Sequence, residues 1–489
     1  MRYAYTAAAI RAAEAEILAA TGDGVLMQRA AAGLASALRR ELRSRRGRVY
    51  GARVLVLAGD GNNGGDALFA AARLAGRGVR VAAWRTGSGV HEAGWRALAA
   101  AGGHEVDAAG ARRELAHADL VVDGVAGLSG RAGWRAEVAD FARACVAAGV
   151  PVVAVDLPSG IPADPPFTAL TAAGEQPEPV PVPAAARSVT GNGLATHFAA
   201  CLTVTFGGRK LCHAIEPARS ACGRIETVDI GLPPMEPELE CWEPSDVAAV
   251  WPVPTPGDDK YSRGVVGVDA GSLRYPGAAV MVATGAVRAG AGMVRFTGEP
   301  GIAAAVLARL PNVVTTAGRV QALVLGSGWG DRPDGPDVVA GAVATGLPLV
   351  IDADALTMLP YRLHPQVLLT PHAGELGRFL GIAREQVLAD PVAAVRQAVV
   401  RTGGTVLLKG ATQLVGTPGQ GRVKVAVPGP AWTAQAGSGD LLAGICGALL
   451  AAGLTAPVAA VVGASIQAMA AADRGAVAPQ DLELPLPLK

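Results

Sequence analysis

The sequence predicts an α/β protein built from two domains in series, each with a parallel sheet covered by helices on both faces. The 489 residues exceed the size of one ordinary hydrophobic core, and two domains of about 240 residues fit better. Short apolar runs alternate with alanine-rich helical segments through both halves, as in sheets buried on both faces. Each half also carries a glycine-rich loop that ends in an aspartate and opens a helix.

The first half is predicted to begin with one long helix over residues 1–46, where Ala, Leu and Ile recur at helical spacing. A segment rich in Pro, Ala and acidic residues, 162–186, reads as a flexible insertion, and a proline-punctuated stretch at 233–243 reads as the linker. Between these segments we predict strands at 53–58, 79–84, 120–123, 151–155, 202–206 and 225–230, and helices at 67–75 and 137–148.

The second half repeats the alternation after a short helix at 245–250. Residues 441–472 carry no charge, but several glycines and one proline interrupt them, so we predict buried helices there and no membrane span. The other predicted elements are strands at 265–268, 322–325, 348–351, 367–369 and 405–408, and a helix at 278–289.

Charge and cysteine usage narrow the class of protein. The net charge of +1 gives no reason to expect nucleic acid or a membrane surface as partner. The six cysteines form no CxxC pair and no secretory leader is recognisable, so we expect a cytoplasmic protein with reduced thiols.

The first glycine loop is Gly59-Asp-Gly-Asn-Asn-Gly-Gly-Asp66, directly after a predicted strand. It matches the GxGxxG dinucleotide fingerprint, but the next strand is followed by Arg85 where that fingerprint wants an acid. An arginine at this position could instead accept a 2′-phosphate. The amide and carboxylate oxygens of the loop, by contrast, suit a hard cation. Asp123, Asp156 and Ser159 follow two further predicted strands, at the edge where open α/β sheets hold ligands.

The second glycine loop, residues 436–440, precedes an apolar helix and ends at Asp440. Its backbone N–H groups and the helix dipole form an anion site, where an aspartate can take a proton from an attacking hydroxyl. The alternative is a helix-capping aspartate behind a glycine turn. Arg far outnumbers Lys in this chain, so Lys409, after the strand at 405–408, marks a position that needs a compact ammonium.

Four runs in the first half resemble the epimerase domain of the NAD(P)H-hydrate repair enzymes: LVLAGDGNNGGDALFAAARLAGRGVRV, VDGVAGLSG, VDLPSG and TVTFGGRK. The resemblance spans residues 1–235 and implies a three-layer, Rossmann-like domain that interconverts the R and S forms of NADH and NADPH hydrated at C6. It implies Asp156 as acid/base and a potassium site at Asn63, Asp123 and Ser159. The substrate-binding residues that it implies are Asn62, Asn63, Gly64, Gly65, Asp66, Gly127, Leu128, Ser129, Gly130 and Arg131.

Five runs in the second half resemble the ADP-dependent (S)-NAD(P)H-hydrate dehydratase, of the ribokinase-like superfamily: KYSRGVVGVDAGSLRYPGAAVM, IDADAL, LTPHAGEL, LLKGAT and AGSGDLLAG. The resemblance gives a domain at 243–489, with Asp440 as catalytic base and ADP, with Mg²⁺, as co-substrate. It implies that Ala278, Gly328, His372 and Asp440 contact the hydrated cofactor. The implied ADP-binding residues are Lys409, Gly410, Ala411, Thr412, Gln413, Gly437, Ser438 and Gly439.

Two alternatives remain open at this stage. The second half has the features of a small-molecule kinase for a vitamin precursor as well. The first half departs from its family's motifs at 26–31, 126–130 and 164–166, so it is alternatively a domain that binds a nucleotide or a partner protein without catalysis. We further expect a homo-oligomer, with the helix at 1–46 available for the contact.

Overall fold

The computed structural model describes residues 1–21, 24–128, 136–167, 197–360, 362–472 and 474–485. The chain forms two compact units, one over Tyr3–Glu238 and the other from Leu239 onward together with Met1–Arg2. The boundary falls within the stretch 233–243. Of the insertion expected at 162–186, residues 168–186 lie outside the described residues.

The first unit is built around a parallel sheet with the strand order β4-β3-β2-β5-β6-β7-β9. The strands in this part of the chain are β1 (Arg2–Tyr5), β2 (Arg53–Ala58), β3 (Arg80–Arg85), β4 (His104–Val106), β5 (Leu120–Gly124), β6 (Val152–Val155), β7 (Leu202–Phe206), β8 (Arg209–Lys210) and β9 (Arg224–Val228). Strands β1 and β8 pair with each other and are not part of that sheet. Its helices are Ala7–Thr21, Val25–Arg46, Asn62–Ala75, Glu92–Ala100, Ala108–Leu115, Ala136–Ala148 and Ala218–Cys222.

Helices cover both faces of this sheet. On β2, Val54 and Val56 pack with the helices Val25–Arg46 and Asn62–Ala75, whereas Leu55 and Leu57 pack into a second cluster on the opposite face. Successive residues of a strand point to opposite faces, so a strand buried on both faces must be continuously apolar. The predicted α/β class with a three-layer arrangement is therefore confirmed for this unit.

The prediction of one helix over 1–46 is wrong. A short strand, Arg2–Tyr5, comes first, and two helices follow it, with Gly24 in a left-handed conformation (φ 90°) before the second. The helix predicted at 67–75 begins five residues earlier, at Asn62. Asn and Gly have low helix propensity, which hid this first turn from the sequence pattern.

The second unit has a mixed sheet with the order β12-β11-β13-β14-β15-β16-β17-β18-β10. Strands β11–β16 are parallel as predicted, but β17 runs antiparallel to both of its neighbours. The strands are β10 (Leu239–Cys241), β11 (Val265–Asp269), β12 (Met293–Phe296), β13 (Ala322–Leu325), β14 (Leu349–Ile351), β15 (Val367–Leu369), β16 (Thr405–Leu408), β17 (Leu414–Gly416) and β18 (Val423–Val425). The helices are Pro244–Val250, Pro276–Arg288, Ala303–Arg309, Gly335–Ala344, Ala373–Leu380, Arg384–Ala389, Pro391–Thr402, Ser438–Ala451 and Ala456–Ala471.

The uncharged stretch at 441–472 forms two helices that bury most of their residues in the core of this unit. Within the described part of the chain, no helix is both long and apolar enough to span a bilayer. Glycines bring the helices Pro276–Arg288 and Ser438–Ala451 close together: a Cβ on Gly444 would lie 2.0 Å from the carbonyl oxygen of Val282. This close packing fixes the position of the second glycine loop.

Candidate active sites

The first glycine loop is so tightly folded that two of its positions admit only glycine. A Cβ on Gly59 would lie 1.9 Å from the carbonyl oxygen of Val125, and a Cβ on Gly64 would lie 2.1 Å from that of Gly59. The helix that follows begins at Asn62. Its first N–H groups are therefore presented at the carboxyl ends of β2 and β5, where an anionic group binds most favourably.

A cavity of about 1000 Å³ opens beside this loop, large enough for a nucleotide. Seven of the predicted residues line it: Asn62, Asn63, Asp66, Gly127, Leu128, Asp156 and Ser159. Gly64 and Gly65 lie behind its wall and shape the loop, while Ser129, Gly130 and Arg131 lie outside the described residues. Arg85 does not line the cavity; it pairs with Glu105 (3.0 Å) and stacks on Trp95, which argues against the simple dinucleotide fingerprint.

Asp156 lies at the carboxyl end of β6 in an unusual backbone conformation. Its φ is 68°, a left-handed value that L-residues other than glycine adopt at a cost of order 1–3 kcal/mol. The carboxylate is buried. Its Oδ1 accepts a hydrogen bond from Thr205 Oγ1 (2.9 Å) and forms an ion pair with the ammonium of Lys210. Such strain persists where surrounding contacts hold it, and it is common at active sites.

Lys210 is a site residue that the sequence analysis missed. Its ammonium donates to Asp156, to Thr205 Oγ1 (2.9 Å) and to the carbonyl oxygen of Phe206 (3.1 Å), so all three of its protons are used. The backbone N–H of Lys210 is held by His213 Nδ1 (3.0 Å). Lys210 ends the run TVTFGGRK, and lysine is scarce in this chain. The scarcity of lysine could therefore have identified Lys210, but the sequence analysis applied it to Lys409 alone.

A second carboxyl group, that of Asp66, reaches the same cavity from the helix Asn62–Ala75. The residue is 6% exposed, and its Oδ1 is buried without a hydrogen-bond partner among the described residues. Burial, and then repulsion from Asp156 and Glu14, raises the pKa of Asp66 well above its usual value. Burial likewise raises the pKa of Glu14, which lines the cavity from the first helix.

The structure brings together Asn63, Asp123 and Ser159, the residues expected to hold potassium. Asp123 accepts from Ser159 Oγ (2.6 Å) and Ser159 N (2.8 Å), and Asn63 Nδ2 donates to the carbonyl oxygens of Val155 (2.7 Å) and Ala126 (3.1 Å). A Cβ on Gly127 would lie 2.3 Å from Asn63 Oδ1, so this amide needs a glycine beside it.

Asp123 itself shows why a cation fits there. The side chain is fully buried, and no basic side chain of the described residues forms an ion pair with it. Burial raises its pKa to about 6 despite the hydrogen bonds from Ser159. A cation that prefers oxygen ligands would compensate this carboxylate, and the neighbouring amide, hydroxyl and carbonyl oxygens supply the ligand chemistry.

In the second unit, Lys409 lies at the centre of a buried polar cluster at the carboxyl ends of β13, β14, β15 and β16. Its ammonium donates to Asp352 Oδ1 (2.6 Å), which also accepts from Thr370 Oγ1 (2.7 Å), while Asp352 Oδ2 accepts from Ser327 Oγ (2.9 Å). Lys409 also approaches the second glycine loop, because a Cβ on Gly439 would lie 3.2 Å from its Nζ. The cluster therefore presents a fixed positive charge beside an anion-binding loop.

Asp440 lies in the first turn of the helix Ser438–Ala451, which follows Gly437 in a left-handed conformation (φ 85°). Burial, and then repulsion from Asp352, raises the pKa of Asp440 to about 6, although Lys409 opposes the shift. Its side chain makes no N-cap hydrogen bond, since the N-cap position belongs to Gly437. The capping explanation for this aspartate is thus disfavoured.

The three other predicted contacts of the hydrated cofactor have different surroundings. Ala278 and Gly328 lie side by side, because a Cβ on Gly328 would come within 2.5 Å of the Ala278 Cβ. His372 is the N-cap of the helix Ala373–Leu380, and its Nδ1 accepts from the N–H groups of Gly374 and Glu375. Nδ1 is therefore occupied, and Nε2, which lies 3.4 Å from Glu375 Oε1, is the ring nitrogen left for a ligand.

The loop between Ser327 and Gly330 is held by a buried tryptophan. The side chain of Trp329 donates from Nε1 to Asp269 Oδ1 (3.0 Å) and stacks against the guanidinium of Arg332. Arg332 also pairs with Asp269 (2.7 Å). The tryptophan therefore anchors the loop to β11 instead of narrowing the pocket.

Two family models match this chain, one for each unit. The model for NAD(P)H-hydrate dehydratase matches residues 266–482, and the model for the YjeF-related protein N-terminus matches residues 23–212. A crystal structure of the ADP/ATP-dependent NAD(P)H-hydrate dehydratase from Bacillus subtilis is similar to half of the chain, covering 95% of that protein at 21% identity with a TM-score of 0.47. The two family models thus divide the chain into a domain of the YjeF-related N-terminal class and a domain of the NAD(P)H-hydrate dehydratase class.

Similarity over the full length narrows this class further. The chain is 44% identical over 476 residues to the bifunctional NAD(P)H-hydrate repair enzyme Nnr of Mycobacterium tuberculosis (strain H37Rv), covering 94% of this chain and 91% of that protein. It is 44% identical over 490 residues to the Mycobacterium leprae enzyme, covering 96% and 94%. This protein belongs to the family of bifunctional NAD(P)H-hydrate repair enzymes, which confirms both resemblances seen in the sequence.

Proposed function

We propose that this chain repairs NADH and NADPH that have been hydrated at C6 of the nicotinamide ring. The domain at 1–235 interconverts the R and S hydrates, and the domain at 243–489 dehydrates the S form with ADP. The observation that carries the proposal is the presence of two separate carboxylate sites, at Asp156 and Asp440. Each lies beside its own glycine loop at the carboxyl edge of its own sheet. Each of the two reactions can therefore be completed at its own site.

In the epimerase domain, the hydrated ring and its phosphates occupy the cavity beside the first glycine loop. The N–H groups at the start of the helix Asn62–Ala75 bind a phosphate, and the carboxylate of Asp156 accepts or returns a proton at the C6 oxygen. Lys210 holds that carboxylate in place. Asn63, Asp123 and Ser159 would hold potassium, whose positive charge would compensate the buried carboxylate of Asp123 beside the turn after β5.

In the dehydratase domain, ADP binds along residues 409–413 with its phosphates at the loop Gly437–Gly439. Asp440 takes the proton of the C6 hydroxyl while the hydroxyl oxygen attacks the terminal phosphorus of ADP, and AMP leaves. Lys409 and the loop N–H groups stabilise the charge that develops on the transferred phosphoryl group. Asp354 and Asp440, two carboxyl groups close enough to influence each other, would supply oxygen ligands to the Mg²⁺ that accompanies a diphosphate.

Phosphorylation converts the C6 oxygen into a good leaving group. The C6–O bond then breaks as phosphate departs, a proton leaves C5, and the C5=C6 double bond of NADH or NADPH forms again. The sum of the two half-reactions consumes one ADP and yields AMP, phosphate and the repaired cofactor.

Two matched variants test the assignment. Asp440→Asn should slow dehydration by roughly 10²-fold or more, because it removes a positioned base, and should leave exchange between the R and S hydrates unchanged. Asp156→Asn should abolish the exchange and leave dehydration of the pure S hydrate unchanged. Retained dehydration in Asp440→Asn would refute the assignment. A stable phosphorylated product formed from ATP would identify the second unit as a small-molecule kinase.

A further inference from the structure

We propose that Asp66 is a second catalytic residue of the epimerase site, acting as a carboxylic acid that protonates the departing C6 oxygen while Asp156 deprotonates the water that replaces it. The inference rests on the epimerase activity proposed above and adds a route to it: the ring exchanges its hydroxyl for water by breaking the C6–O bond. Two carboxyl groups with different surroundings in one cavity carry the argument.

The surroundings of Asp66 are those of a neutral acid. Its Oδ1 is buried and has no hydrogen-bond partner among the described residues, and no ion pair links it to a basic side chain there. A buried carboxyl oxygen without a partner is costly unless a ligand supplies one. Because Asp66 lines the cavity, the bound substrate is the group that can do so.

The surroundings of Asp156 are those of a charged base. Lys210 compensates its charge, Thr205 donates to Oδ1 at 2.9 Å, and the N–H of Phe206 approaches Oδ1 at 3.4 Å. All of these contacts engage Oδ1. The carboxylate thus remains able to accept a proton on its other oxygen from the cavity, which it also lines.

The charges around Asp66 favour the same role for it. Asp66 is faced by Asp156 and Glu14, which raise its pKa beyond the effect of burial, and by Lys210, which lowers it. Burial and the two neighbouring carboxyl groups therefore favour the protonated form of Asp66, whereas Asp156 is paired with Lys210. Two carboxyl groups whose environments differ in this way are a recurring arrangement for paired acid and base catalysis.

The reaction balances with water as the only co-reactant. The nitrogen lone pair of the ring forms an N1=C6 double bond as the C6–O bond breaks, and the departing oxygen takes the proton of Asp66 and leaves as water. A water molecule then attacks C6 from the opposite face and gives a proton to Asp156, and the π electrons return to N1. Each turnover leaves Asp66 ionised and Asp156 protonated, which is the state that the reverse reaction uses with the two roles exchanged. Proton exchange with solvent restores the starting state for another forward turnover.

The isosteric variant Asp66→Asn tests the role directly. With the hydrated cofactor as substrate and no ADP present, exchange between the R and S forms is measured by NMR. We expect kcat for this exchange to fall by roughly 10²-fold in Asp66→Asn, with KM changed less than about threefold. The wild-type kcat should decline as the pH rises through the pKa of Asp66, and this decline should be absent from Asp66→Asn. Asp66→Glu, which keeps the acid, should recover part of both the rate and the decline.

Oxygen exchange provides the second readout. In H₂¹⁸O the wild-type enzyme should place one ¹⁸O at C6 for every epimerisation. Hydrogen exchange on peptides from β7 checks that the first unit of each variant is folded, and dehydration of the S hydrate checks the second unit. A higher KM with unchanged kcat in Asp66→Asn would show a residue that only binds, and epimerisation without ¹⁸O would exclude C6–O cleavage; either result overturns the inference. Absence of R/S exchange in the wild type would instead refute the proposed epimerase function itself.

Discussion

Replacement of Lys210 by Met tests whether the buried ion pair with Asp156 holds the first active site together. The two side chains are 1% and 5% exposed, so neither charge can be solvated when its partner is lost. Removing one partner of a buried ion pair typically costs about 3–5 kcal/mol. Methionine fills a similar volume with a flexible apolar chain, which keeps the cavity term small. We therefore expect Lys210→Met to lower the free energy of unfolding of the first unit by about 3–5 kcal/mol.

The double variant Lys210→Met/Asp156→Asn isolates the charge from the packing. Because the uncompensated carboxylate is gone, the double variant should be more stable than the sum of the two single effects by about 2 kcal/mol, within the range measured for contacting residues. Hydrogen exchange measured by mass spectrometry on peptides from β7 reports the first unit, and peptides from β13 and β14 provide the internal control. The reasoning would be refuted if Lys210→Met lowered the free energy of unfolding by less than about 1 kcal/mol, or if the effects of the two substitutions were strictly additive in the double variant.

Three further predictions concern the potassium site, the dehydratase base and the first glycine loop. Since the folded-state pKa of Asp123 is about 6, above its usual 3.8, the unit should lose about 3 kcal/mol of stability as the pH rises through that interval. KCl should therefore raise the melting temperature relative to choline chloride at pH 7.5 and much less at pH 5; an equal rise at both would contradict the site. Dehydration with saturating ADP should fall as the pH drops through about 6, because Asp440 must be deprotonated to act as base, and a rate that stays flat down to pH 5 would exclude it. Gly64→Ala, whose Cβ would lie 2.1 Å from a backbone oxygen, should cost about 1–3 kcal/mol in a denaturant melt, whereas Gly61→Ala, with open space around it, should cost clearly less.

Continuous apolar strands were the part of the fold that the sequence predicted best. The strands at 53–58, 202–206 and 405–408 were predicted to the residue, because a strand buried on both faces needs an unbroken apolar run. The strands β17 and β18 were missed because neither is a continuous apolar run: Gly416 ends β17, and Lys424 interrupts β18. The strand at 2–5 was hidden in the same way, beside alanine-rich helices that dominate the pattern.

The site residues divide along a similar line. The acids at strand ends and the glycine loops were visible because their position relative to a strand or helix is local information. Partners from distant parts of the chain could not be predicted in this way. Lys210 and Asp156 are 54 residues apart in the sequence, and Asp352 and Lys409 are 57 residues apart. Such pairs form only when the sheet brings the carboxyl ends of separate strands together, and a single sequence contains no record of that distance.

Recovery of absorbance at 340 nm tests the central claim most directly. The substrate is a mixture of R and S NADPH hydrate, supplied with ADP, Mg²⁺ and potassium, and the rate of spontaneous epimerisation is subtracted. The account predicts that the wild-type chain restores the whole mixture, since the R hydrate passes through the first site before the second dehydrates it. It also predicts that Asp156→Asn restores only the S fraction. If the wild type too restored only the S fraction, the first unit would lack catalysis and the account of two active sites on one chain would be contradicted.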